Sequence, residues 1–169
     1  MNKGFTLIEM LVSVLIFSIV FGTAMGVFTS VIKLQKYNLA HQQLLNQTSY
    51  VMEYMDRAIR MAKKDDIGCI DGSNYDETSN SIEFATYHGQ CWEFYLEAEQ
   101  LKINKDGTIY NLTSADFKVS SFNVTVTGDS LGDDLQPKVT IFMEIEGKGS
   151  GTQPKVKIQT TISQRNLDM

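Results

Sequence analysis

Proline is nearly missing from this chain, and glycine is missing where it would interrupt most. The two prolines of the 169-residue sequence are Pro137 and Pro154, and no glycine falls between Gly26 and Gly68. Without breakers, the stretch between those glycines favours one uninterrupted helix. Charge is also missing at the start: Glu9 is the sole charged residue from Phe5 to Ile32. About 20 apolar residues span a bilayer core, so residues 10–32 are long enough for a membrane helix. They are too long for the apolar core of an ordinary secretory signal, which runs to roughly 7–15 residues. A net charge of −5, with Lys63 and Lys64 followed at once by Asp65 and Asp66, excludes a nucleic-acid footprint. There is no G-x-S-x-G, no H-E-x-x-H, no phosphate loop and no pair of carboxylates that periodicity brings together. The sequence offers nothing for catalysis and no cofactor site.

What is present divides into two regimes. Up to Ile32 the sequence is apolar all round. Beyond Lys33, apolar or small residues return at three- and four-residue steps: Leu34, Tyr37, His41, Leu44, Thr48, Met52, Met55, Ile59 and Ala62. That is an amphipathic stripe, and it predicts a helix from Phe5 as far as Lys64. Its other face carries Gln42, Asn46, Glu53, Arg57, Arg60 and Lys64, with Glu53–Arg57 and Asp56–Arg60 at supportive spacing.

After Gly68 the pattern changes to two-residue alternation. Residues 81–87 and 91–96 read as strands joined across His88 and Gly89. Residues 101–104 and 108–112 flank Lys105, Asp106 and Gly107, and Asp-Gly is a strong hairpin signal. Such a hairpin pairs Leu101 with Leu112 and Ile103 with Tyr110, placing four apolar residues on one face. In residues 117–127 the inward set changes phase between Val119 and Phe122, which predicts a bulge near Ser120 and Ser121. Val139, Ile141, Met143 and Ile145 alternate cleanly, as do Val156, Ile158 and Ile162, while 128–136 and 147–153 read as loops. Trp92, Phe94 and Tyr95 read as core. The expected fold is α+β: a long N-terminal helix whose C-terminal half packs on an antiparallel sheet.

Cys69 and Cys91 fit one disulfide in an oxidising compartment. His88 lies three residues before Cys91, but zinc needs four ligands and the other histidine, His41, sits far off on the helix, so no metal site is expected. Asp129, Asp133 and Asp134 share one loop at spacings that match no EF-hand, and read as a solvated acidic loop. Gly22 and Gly26 form a G-x-x-x-G step, either a close-approach surface for a second helix or a local weak point.

Glu9 is the residue that demands an explanation. A carboxylate inside the bilayer costs about 2.5–3.5 kcal/mol on insertion scales, so it either snorkels to the headgroups or has a partner. Its context, GFTLIEMLV from Gly4 to Val12, resembles the prepilin signature of type IV pilins and of the pseudopilins of type II secretion and competence systems. The likeness is close over residues 1–32. It extends loosely to the whole chain through the order of long helix then β domain, and through the closing TTISQRNL, which is similar to the final strand of several pilin-like proteins.

The resemblance implies that a prepilin peptidase, an intramembrane aspartic protease, cleaves between Gly4 and Phe5 and methylates the freed Phe5 amine. It implies that Lys3 keeps the leader cytoplasmic, and that Glu9 pairs with the N-terminal amine of a neighbouring subunit. The implied partners are the peptidase, other pilin or pseudopilin subunits, an inner-membrane assembly platform and the lipid bilayer. The implied organisation is a leader at 1–4, a membrane and filament-core helix at 5–32, its amphipathic extension at 33–66 and an extracytoplasmic β domain at 67–169. The chain would sit in the cytoplasmic membrane before joining a filament. The rival reading is a single-pass anchored binding or sensor domain in which Glu9 is incidental.

Overall fold

The computed structural model describes residues 4–129, 135–149 and 153–165. One helix, α1, runs over Leu7–Arg60, as the missing breakers require. The chain forms two compact units, Met1–Leu39 and Ala40–Met169.

In the first unit α1 is apolar on all sides, and its large side chains, among them Leu11, Phe17 and Phe28, are exposed. The hydroxyls that interrupt this surface are all turned inward. Ser13 donates to the Glu9 carbonyl, Ser18 to that of Val14 and Thr23 to that of Val20, while Thr29 and Ser30 both donate to the Gly26 carbonyl, at 2.7–3.0 Å. Each polar group therefore has its partner on its own helix, which is what a hydrocarbon surrounding demands. By length and composition α1 is able to cross a membrane.

In the second unit the stripe on α1 meets its core. Leu44, Thr48, Val51, Met52, Met55 and Ile59 are buried, and Val51 joins the residues expected from spacing alone. Strands β1 (Ala62–Lys63), β2 (Asp76–Glu77), β3 (Ser81–Thr86), β4 (Cys91–Glu97), β5 (Gln100–Lys105) and β6 (Thr108–Asn111) make one antiparallel sheet. Its order is β1-β3-β4-β5-β6, with β2 also on β3. Strands β7 (Phe117–Thr127), β8 (Lys138–Gly147) and β9 (Lys155–Ser163) make a second sheet in sequential order. Where the sequence pattern leads to one sheet, the described residues form two, and one core serves both. Phe84, Phe94 and Ile103 from the first join Phe122, Ile141, Met143 and Ile145 from the second around the buried face of α1.

Several local expectations hold. Ile103 pairs with Tyr110, and Asp106 and Gly107 both have positive φ, 48° and 88°, as a type I′ hairpin requires. The β7–β8 register shifts between Val119 and Ser121, the expected bulge. Two expectations fail. The helix stops at Arg60 instead of Lys64, and Ala62 and Lys63 pair with Thr86 and Ala85 as strand β1. The physical reason lies in what receives the last carbonyls. Tyr75 donates its hydroxyl to Ile59 O at 2.8 Å, Arg165 its backbone N–H to Arg60 O at 2.9 Å, and Gln164 its amide to Ala62 O at 3.0 Å. These distant donors make ending the helix favourable where no local breaker exists. The second failure is Tyr110, which is exposed, because β6 is an edge strand with no buried residue.

Phe94 is fully buried while Trp92 is half-buried, stacked on Tyr54 with ring centroids 6.4 Å apart and the Lys105 ammonium 4.0 Å over its ring. On the helix surface, Glu53 pairs with Arg57 and Asp56 with Arg60.

Candidate functional site

Residues 4–6 precede α1 in non-helical conformation. Phe5 is 79% exposed, and a Cβ added at Gly4 would meet no atom within 4 Å. Lys3 lies outside the described residues. The first turn explains where the helix begins. The Thr6 N–H donates to Glu9 Oε2 at 3.0 Å, the Thr6 hydroxyl donates to the same oxygen at 2.9 Å, and the Glu9 N–H donates to Thr6 Oγ1 at 3.3 Å. Thr6 and Glu9 thus make a reciprocal capping box, in which each side chain holds the other residue's otherwise orphaned amide. The carboxylate also sits at the positive end of the helix dipole. Thr6 was not singled out from the sequence, although threonine followed three residues later by glutamate, ahead of an apolar run, is the signal that marks such a box.

Within the folded unit, Cys69 and Cys91 form a disulfide with Cα atoms 5.8 Å apart, tying the segment after β1 to the start of β4. That segment is wound around Asp65, whose carboxylate accepts the backbone N–H groups of Ile67 and Gly68 at 3.0 Å and of Ile70 at 2.7 Å. Burial pushes the Asp65 carboxyl up, but the backbone amides of Ile70, Ile67, Cys69 and Gly72 outweigh it and bring it from 3.8 to about 2.

Two of the other candidates, Cys91 and Asp129, have structural roles. Cys91 is oxidised and so offers no thiolate to a zinc ion beside His88. Asp129 is bound into the fold, accepting from the Asn74 side chain at 2.7 Å and from the backbone N–H of Asn74 and Tyr75. Asp133 and Asp134 lie outside the described residues. Among the described residues no group of three His, Cys, Asp or Glu side chains is placed to hold a metal. A Cβ at Gly22 or Gly26 would meet no atom within 4 Å.

The geometry therefore concentrates on one short stretch: an exposed Gly–Phe step, a capping box and an apolar helix. Residues 1–25, which contain all but the end of that apolar run, match the family model described as the prokaryotic N-terminal methylation motif. This chain carries the type IV prepilin signature. No curated protein and no solved structure matches it. The prepilin signature and the fold agree, since one long helix apolar at its N-terminal end and packed at its C-terminal end on antiparallel sheet is a pilin-like architecture.

Proposed function

We propose that this chain is the precursor of a structural subunit of a type IV pilus-like or pseudopilus filament. A prepilin peptidase removes residues 1–4 and methylates the Phe5 amine, residues 5–32 hold the subunit in the cytoplasmic membrane with its β domain outside, and the same helix then packs among those of other subunits on the assembly platform. The observation that carries this reading is the signature itself, sited where Phe5 and Gly4 stand free ahead of a membrane-length helix. Gly4 adds support: among the described residues no atom would meet a Cβ added there, and a glycine leaves its carbonyl open to an approaching enzyme. Glu9 then has two partners at two stages. In the single subunit Thr6 holds it, and in the filament the amine of a neighbouring Phe5 compensates its charge.

Mass spectrometry of the membrane-extracted protein tests this. The expected chain begins at N-methylated Phe5. Intact Met1 in cells with an active prepilin peptidase overturns the proposal and favours an anchored domain.

A further inference from the structure

We infer that Thr6, through its box with Glu9, is a positioning residue for the cleavage between Gly4 and Phe5. The inference rests on the processing proposed above. In that step water adds across the peptide bond, leaving a carboxylate on Gly4 and an amine on Phe5. A protease reaches a carbonyl only when the surrounding backbone is extended, whereas within a helix the same carbonyl is bonded four residues ahead and turned along the axis. The start of α1 therefore decides whether the bond is presented or hidden.

The structure puts that start two residues beyond the bond, at Leu7. What holds it there is specific. In a helix extended upstream the Thr6 N–H would point to the carbonyl of residue 2; here the Glu9 carboxylate takes it. The Glu9 N–H is likewise satisfied by Thr6 Oγ1. In apolar surroundings a first turn stripped of these partners recruits the carbonyls before it, because an unbonded amide in lipid is costly. That recruitment draws Phe5 and Gly4 into the helix. Gly4 resists it through its poor helix propensity, but the capping box sets the boundary. The match to the methylation motif spans the leader, the bond and the box together.

The test compares kcat/KM of a purified prepilin peptidase on full-length detergent-solubilised precursors, with cleavage read by mass spectrometry. Thr6→Val keeps the shape and removes the hydroxyl, and Glu9→Ala removes the other half of the box. Loss of an N-cap corresponds to roughly a three- to tenfold change in the capped population, and both variants are expected to slow by that factor. Thr6→Ser and Glu9→Gln preserve a box and are expected to stay within about twofold of the native chain. Thr6→Val cleaved as fast as or faster than the native chain overturns the inference. So does Thr6→Ser slowed as much as Thr6→Val, which points to a contact between the threonine methyl and the enzyme. A native chain left uncut overturns the processing proposal itself, an outcome distinct from these two.

Discussion

The Asp65 carboxylate accepts the backbone N–H of Ile70 at 2.7 Å, across a loop that it also bonds at Ile67 and Gly68. One side chain thereby organises the segment that brings Cys69 to Cys91. Three backbone amides converge on it, so the ionised form is the one the loop is built around.

That arrangement sets a pH dependence. The folded Asp65 is depressed from 3.8 to about 2, so its contribution is complete above the unfolded value and is lost as pH falls through the folded one. The β unit is expected to lose up to about 2 kcal/mol between roughly pH 4 and pH 2. Asp65→Asn is expected to remove most of this dependence and to be less stable at neutral pH. Denaturant titrations of the detergent-solubilised chain, followed by the fluorescence of Trp92, check both; identical acid sensitivity in the variant contradicts the assignment.

The disulfide closes a span of 22 residues. Protein taken from its envelope is expected to resist alkylation at Cys69 and Cys91 until reductant is added. Reduction is expected to destabilise the β unit by about 2–5 kcal/mol, the usual cost of losing a bridge from a small exported domain. Free thiols before reduction contradict an oxidising location for that unit.

Most of the architecture could be read from periodicity. The long helix followed from missing breakers, the Asp106–Gly107 hairpin from turn chemistry, and the Ser120 bulge from a change of phase in the alternation. What escaped was set by partners far along the chain. Nothing local stops α1 at Arg60; Tyr75, Gln164 and Arg165 do. The turn between β4 and β5 has Ala98 and Glu99 at positive φ, 50° and 62°. Neither residue signals such a turn, and the pairing of β4 with β5 imposes it. At the candidate site the signature is legible residue by residue, while the capping box is masked by the charge of Glu9, which in an apolar run raises the question of lipid headgroups or a distant partner before that of Thr6 three residues away. Thr6 is that partner in the single subunit.

We propose that Glu9 serves assembly as well as capping, and Glu9→Gln separates the two roles. The amide preserves the box and enters a bilayer more easily than a carboxylate, so membrane levels and cleavage after Gly4 are expected to remain normal. It cannot neutralise a neighbouring Phe5 amine in a medium of low dielectric, where that attraction is strongest. The decisive measurement is the fraction of Glu9→Gln recovered in sheared filaments relative to the membrane, expressed alone and alongside the native chain. Normal membrane abundance with severely reduced entry into filaments is the expected result; entry equal to that of the native chain would show that Glu9 is not the assembly contact.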